Sequence, residues 1–157
     1  MSRAHEPILP EHVPRPSGRL EYGDVSLRLG EFVPGDSVRG FVPYYYFRIE
    51  AGGIEVGHIN LRVGDTEHVM QVAGHIGYEI RPEWRGYRYA GQACRALAPF
   101  ARLIRHELIL TADPDNVASL RTIEGLGARF LDEIPVPPDE PAYRRGSLRK
   151  RRYLWCP

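Results

Sequence analysis

The stretch Arg85-Gly86-Tyr87-Arg88-Tyr89-Ala90-Gly91 joins an apolar run to a helical one, and its residue types suit the capture of an anion. Glycines at 86 and 91 let backbone N–H groups approach an oxygen that a side chain would hold off. A helix beginning near Ala90 leaves its first N–H groups unpaired at the positive end of its dipole, where a phosphate or pyrophosphate is favoured. Just upstream, His75, Gly77 and Glu79 alternate, so a strand here puts an imidazole and a carboxylate on one face. Histidine titrates in the range useful for proton transfer, whereas a strand glutamate beside Arg81 is also suited to simple ion pairing. A third charged feature, Arg144-Arg145 with Arg149-Lys150-Arg151-Arg152, lacks interleaved aromatics or any nucleic-acid motif. It reads as the solvated face of a final strand.

These groups need elements to position them. Val25 to Val33 reads as a strand, and Tyr44 to Glu50, the turn Ala51-Gly52-Gly53 and Ile54 to Val63 read as a hairpin. Val72 to Ile80 reads as the next strand. The following helix, Ala90 to His106, carries an apolar stripe at Ala93, Leu97, Phe100, Ala101 and Ile104, with Pro99 expected to bend it. Leu108 to Thr111 is a buried strand, Asp113-Pro114-Asp115 a turn, and residues 116 to 126 a helix stopped by Gly127. Ala128 to Ile134 and Leu148 to Trp155 are the last strands, separated by a proline-rich loop over 135 to 147.

A chain of 157 residues accommodates one domain, 19–157, after a proline-rich arm, 1–18, with prolines at 7, 10, 14 and 16. The arm is expected to be extended, peripheral and ordered only against a partner. The net charge of +1 provides no global field for nucleic acid or membrane, and no apolar run approaches the ~20 residues of a membrane helix. Without the apolar core of a signal peptide, the expected location is cytoplasmic. Cys94 and Cys156 read as free thiols, and no metal-ligand spacing is present, so no metal is expected.

The order of strand, loop and helix, strand, then Asn-bearing helix resembles the GNAT superfamily of acetyltransferases, in its ribosomal-protein and small-molecule N-acetyltransferase branch. The likeness rests on Gly77-Tyr78 before the loop and on Arg85 and Ala90 in an Arg/Gln-x-x-Gly-x-Gly/Ala pattern. Asn116, Ser119, Glu124 and Gly127 extend it along the later helix. It implies an α/β (α+β) fold: a mixed, mostly antiparallel twisted sheet with helices packed on it and two splayed parallel central strands. It also implies acetyl-CoA as the acyl donor, inserted between those strands. The backbone of Ile80 and Arg81 would then pair with the pantetheine arm, and Asn116 and Ser119 would contact it. The residues Arg85, Gly86, Tyr87, Arg88, Tyr89, Ala90 and Gly91 would hold the pyrophosphate. A primary amine, on a small molecule or a peptide, would attack the thioester directly, with a backbone N–H near Ile80 at the oxyanion. His75 is the first candidate for the base and Glu79 the second.

Three positions depart from the family pattern. Ile123 stands where many members have the tyrosine that protonates the thiolate, so that acid is missing or supplied from elsewhere, with Tyr78, Tyr89 and Tyr143 able to substitute. Arg88 stands where the loop normally has glycine. Only Pro34 to Pro43 occupies the place of the usual pair of helices between the first two strands, which leaves the acceptor site open or completed by another chain. A homodimer is expected, with the arm and the Tyr44-Tyr45-Tyr46-Phe47 run available to fill the gap. The same departures support an alternative, a catalytically silent GNAT-like CoA-binding or interaction module.

Overall fold

Alternation of apolar residues, interrupted by bulges, builds the first half of the chain into one antiparallel sheet. In the computed structural model, which describes residues 7–157, β1 (Leu20–Tyr22), β2 (Val25–Val33), β3 (Tyr44–Ala51), β4 (Ile54–Arg62) and β5 (Ile76–Ile80) lie in that order. The first six residues of the arm fall outside the described ones. Period two divides the aromatic run of β3: Tyr45, Phe47 and Ile49 are fully buried, while Tyr44 and Tyr46 are only half-buried on the other face. Two of the four rings expected at an interface are therefore core residues. The arm is also engaged within the chain, since Leu9 and Val13 pack against the core and the Tyr45 hydroxyl donates to the Pro14 carbonyl.

Helix α1 (Tyr89–Ile104) covers this inner face with Ala93, Cys94, Ala96, Leu97, Ala98, Phe100 and Ala101. The alanines let the helix approach closely enough for Phe100 to meet Tyr45 edge-on, at 4.9 Å between ring centroids. Pro99 is exposed, as is Arg95 one turn earlier, so the carbonyl that loses its partner faces solvent and the helix continues through the proline.

A second sheet, in the order β6-β8-β7, is made of β6 (Leu108–Ala112), β7 (Arg129–Pro135) and β8 (Arg149–Trp155). Helix α2 (Val117–Gly125) begins at Asn116, whose Oδ1 accepts the Ser119 N–H at 3.2 Å, and Gly127 follows it with φ of +80°. The basic run on β8 is paired with acids: Arg149 with Glu133 at 2.9 Å, Arg152 with Asp132 at 2.8 Å and Lys150 with Asp113 at 2.7 Å. The loop expected over 135 to 147 holds a short helix, α3 (Pro141–Arg144).

The strand expected over Val72 to Ile80 is shorter. Residues His68–Ala73 form a π-helical turn, closed by the Gly74 N–H on the Val69 carbonyl at 2.8 Å. Gly74 adopts φ of +72°, and a Cβ there would stand 2.9 Å from the Ile109 carbonyl oxygen, so chain direction and close approach both require glycine. His75 consequently precedes β5 and does not share a strand face with Glu79.

No ladder joins β5 to β6, and the two sheets part there as the splayed strands anticipated. They are held at their base by His75, which is 1% exposed. Its N–H donates to the Ile109 carbonyl at 2.8 Å, and its Nδ1 accepts the Ile109 N–H at 2.8 Å. With Nδ1 accepting, the ring proton sits on Nε2, 3.4 Å from the Asp65 carboxylate, which in turn pairs with Arg105. Between β2 and β3, residues 34–43 form a tight turn bridged at Asp36 and Phe41 and contain no helix. No described helix is long and apolar enough to cross a membrane.

Burial lowers the pKa of His75, against the opposing pull of Asp65. A histidine depressed in the folded state takes up its proton more readily when unfolded, so stability is full above the ordinary value of 6.5 and falls as pH drops below it. Replacing His75→Ala leaves the Ile109 N–H unpaired and opens a cavity, and should cost roughly 2–4 kcal/mol in denaturant unfolding. His75→Asn, whose Oδ1 can accept the same N–H, should cost less and should flatten the loss of stability between about pH 6.5 and 5.

Candidate functional site

The parting of the sheets leaves a cleft of about 1260 Å³. In the ladder of β4 and β5, Arg62 donates to the His75 carbonyl at 2.7 Å and Arg81 to the Val56 carbonyl at 2.8 Å. Antiparallel pairing alternates, so residues 77, 79 and 81 direct their backbone groups to β4 and Ile76, Tyr78 and Ile80 direct theirs across the gap. On the opposite wall β6 bonds β8, with Ile109 engaged by His75 and Thr111 lining the cleft. The slot is a strand-wide opening with an unpaired strand edge along one side.

One end of the slot gathers unpaired backbone donors. Beyond Ile80 the chain makes a 3₁₀ turn at Pro82–Trp84, and Arg85 Nε reaches back to the Ile80 carbonyl at 3.0 Å, fixing the loop to the strand. The first intrahelical bond of α1 runs from the Gln92 N–H to the Arg88 carbonyl, so the N–H groups of Tyr89, Ala90 and Gly91 have no helical acceptor. Gly86, Arg88 and Gly91 line the cleft beside them. Arg88 has φ of +62° and ψ of +26°, the left-handed conformation that explains the family's glycine at this position.

The residues expected at the site divide accordingly. Ile80, Arg85, Gly86, Arg88, Tyr89, Ala90, Gly91, Asn116, Ser119 and Glu79 all line the cleft. Arg81 does not: its N–H belongs to the β4 ladder and its guanidinium pairs with Glu55. Tyr87 is 56% exposed and stacks on Tyr89 at 5.4 Å, outside the lining. His75 is absent from the lining as well, and with Nδ1 accepting from Ile109 and Nε2 protonated toward Asp65 it has no lone pair left for an amine's proton. Ile123 is 2% exposed, packed in the core and absent from the cleft lining.

The fold singles out Tyr78 from the three tyrosines the sequence offered and adds His68, which the sequence analysis did not name. Tyr78 shares a 2.8 Å hydrogen bond with Ser119 Oγ inside the slot, and burial raises its pKa so that it holds its proton. His68, on the π-helical turn, lines the far end of the cleft with Nδ1 2.7 Å from Glu140 Oε2. The carboxylate retains the proton on Nδ1 and leaves Nε2 as an acceptor, the arrangement of an oriented base. Tyr78 sits within the Gly-Tyr pattern, but nothing local in the sequence joins His68 to a partner 72 residues away.

A slot with a strand edge free of any ladder partner and unpaired helix N–H groups at its end has the shape and donors to suit an extended, phosphate-tailed ligand. Residues 29–129 match the family model of the acetyltransferase (GNAT) domain, and the chain belongs to that family. Among solved structures it is similar to a GNAT-family acetyltransferase from Bacillus anthracis, at TM-score 0.55 and 25% identity, covering 71% of this chain and 65% of that one. It shares its fold with the acetyltransferase yncA of Salmonella typhimurium, solved with its cofactor acetyl-CoA, at TM-score 0.54 and 15% identity over 72% of this chain and 64% of that one. The fold also recurs in the Salmonella typhimurium enzyme that modifies the N-terminal serine of a 50S ribosomal subunit protein, at TM-score 0.56 and 17% identity over 76% of this chain and 66% of that one. The chain thus spans about two-thirds of the length of these relatives, between 64% and 66%. No curated protein matches the sequence.

A side chain in the left-handed region costs about 1–2 kcal/mol, and more when it is β-branched. Arg88→Val should therefore lower the unfolding free energy by roughly 1–2 kcal/mol relative to Arg88→Gly, while Arg88→Gly itself should stay within ~1 kcal/mol of the parent because glycine also loses more chain entropy. Urea titration of the three proteins measures both differences.

Proposed function

We propose that this protein transfers an acetyl group from acetyl-CoA to a primary amine by direct attack, with the donor laid along the slot between β5 and β6. The observation that carries this reading is one continuous groove that offers a strand edge with no ladder partner at Ile76, Tyr78 and Ile80, of which only the Ile80 carbonyl is engaged, by Arg85, and unpaired helix N–H groups at its end. The pyrophosphate takes the N–H groups of Tyr89, Ala90 and Gly91, with Arg85, Gly86 and Arg88 around it. The amides of the pantetheine arm pair with the free edge of β5, with Asn116 and Ser119 on the other side. Arg81 and Tyr87 support the strand end and the loop from outside.

In the reaction the amine nitrogen bonds to the thioester carbon, the oxygen's developing charge meets a cleft-facing N–H of Tyr78 or Ile80, and the C–S bond breaks. Before attack the ammonium loses a proton, and His68 Nε2, with Glu140 holding Nδ1–H, is the acceptor, while Glu79 attracts the cation from the outer face. As the amide forms, the nitrogen sheds its second proton to solvent; Tyr78 donates its own proton to the departing thiolate and is reprotonated from solvent, so the protons balance. A thiol with pKa ~8.5 leaves readily, so this acid contributes less than in alcohol-releasing reactions. His75 acts as a positioning residue that sets the width of the slot.

Calorimetric titration with acetyl-CoA should give a single site, and no heat and no thermal shift at millimolar acetyl-CoA would end this reading. In Gly91→Ala the added Cβ meets only Thr122, at 4.0 Å, so the helix should gain about 0.5–1 kcal/mol while acetyl-CoA binding weakens. Stability and affinity moving in the same direction would remove the anion from this helix end. Tyr78→Phe should lower kcat about 10- to 100-fold and His68→Gln by about 100-fold or more, each with little change in acetyl-CoA affinity. Binding of acetyl-CoA without acetylation of any amine would favour the silent module, to which the strained Arg88 and the lack of a tyrosine at position 123 lend support.

A further inference from the structure

Arg62 ends β4 with a guanidinium that the fold surrounds with carbonyl groups and no carboxylate. Its Nη1 donates to the Ala73 carbonyl at 3.2 Å and the Gly74 carbonyl at 3.1 Å, and no described residue gives it an ion pair. Nη2 lies beside Gly77, where a Cβ would stand only 2.9 Å from it. Other sheet arginines with more solvent around them are paired, as Arg28 is with Glu50 and Arg48 with Glu55. Burial pulls the pKa of Arg62 down, as expected for a cation held in a poorly hydrated place without a counter-charge. Taking a charge out of water costs several kcal/mol unless a partner offsets it.

The position of Arg62 identifies which partner is missing. Its backbone N–H meets the His75 carbonyl, at the start of β5, and the anion loop begins after Ile80. Five residues of strand, about 16 Å, separate the two ends, so a pyrophosphate held at the loop does not reach Arg62. Arg62 nevertheless lines the same cleft, and at its end α3 seats Ala142 against Val72, bringing Arg145 to the lining as well. Positive charge at this end serves a second anion that arrives with the acceptor.

We propose that the amine acceptor carries a carboxylate close to the reacting nitrogen and that Arg62 receives this carboxylate through Nε and Nη2. A planar guanidinium edge matches the two oxygens of a carboxylate, and Nη1 is already fixed by the two carbonyls, so the fork is oriented before the ligand arrives. The inference rests on the acetyl-transfer reading and adds to it the chemical class of the acceptor. The carboxylate has two sources, the α-carboxylate of a free amino acid or the acidic side chain of a peptide whose N-terminus is acetylated.

The test measures thiol release from acetyl-CoA with matched acceptors: free amino acids and their carboxamides, then dipeptides with aspartate or asparagine in the second position. The parent protein should favour the carboxylate member of one pair by at least tenfold in kcat/KM, and the pair that shows the preference identifies the source. Arg62→Gln should reduce that ratio to about one while leaving the Kd for acetyl-CoA unchanged, and Arg62→Lys should fall between. Gly77→Ala, which displaces the fork without removing its charge, should also reduce the ratio and guards against a fold defect peculiar to the Arg62 variants. Equal rates for both members of both pairs in the parent, or an equal fractional loss for both members in Arg62→Gln, would overturn the proposal. If acetyl-CoA binds and no amine is acetylated, the acetyl-transfer reading fails instead. The carboxylate site is then judged by thermal shift in saturating CoA: a rise in Tm with the amino acid or the aspartyl dipeptide, absent with its amide and in Arg62→Gln, upholds it. No such difference refutes it.

Discussion

The exchange of hydrogen bonds between His75 and Ile109 is the point on which the architecture turns. At this one position the two sheets are bonded as if they were one, the imidazole standing in for a backbone acceptor. Beyond it β5 diverges from β6, and the backbone groups of Ile76, Tyr78 and Ile80 are left without a ladder partner. Unpaired strand-edge groups are costly unless water or a ligand satisfies them, so a slot of this kind persists only because something fixes its base. Placing a buried, neutral imidazole there, with Asp65 and Arg105 behind it, lets the sheets be held together and apart within a few residues.

Charge is distributed along the slot far less evenly than the net charge of +1 suggests. Among the described residues, the charged side chains lining the cleft are basic at Arg62, Arg85, Arg88, Arg95, Arg121, Arg145 and the Asp113-paired Lys150, and acidic at Glu79. The basic strand β8, which looks like the strongest positive feature in the sequence, is largely neutralised by Glu133, Asp132 and Asp113. Field inside a cleft depends on which charges remain unpaired there, not on their number in the chain. The same distinction separates Arg62 from the other arginines of its sheet.

The short connection over 34–43 decides what the outer face of the first sheet presents. With no helix in that segment, Tyr44, Tyr46, His58 and Glu79 share a face that the connection leaves uncovered. His58 stacks on Tyr46 at 5.2 Å and stands directly opposite Glu79 in the ladder, so the face is organised by cross-strand contacts within the sheet. Members of one fold family accept different amines through such variable surfaces, and the shared slot does not by itself specify the acceptor.

Strands β2, β3 and β4, helices α1 and α2, and the glycine-bearing loop before α1 were legible in the sequence, because alternation, helical stripes, a cap and glycine turns are local signals. The glycine pattern also located Arg88 as an exception, and its left-handed backbone supplies the reason. The three-residue β1 and the four-residue α3 are too short to show a period, and the π-helical turn at His68–Ala73 has an apolar content that reads equally well as strand. Which backbone groups of β5 face the slot depends on hydrogen-bond phase, so Ile80 and Arg81, adjacent in sequence, divide between cleft and ladder. The surroundings of His75 and His68 lay beyond any local reading, since their partners stand 34 and 72 residues away, and Tyr78 is set apart from the other candidate tyrosines by a partner 41 residues away. A residue's type determines what protons and bonds it can exchange, but whether its lone pairs are free is settled only by what the folded chain brings beside it.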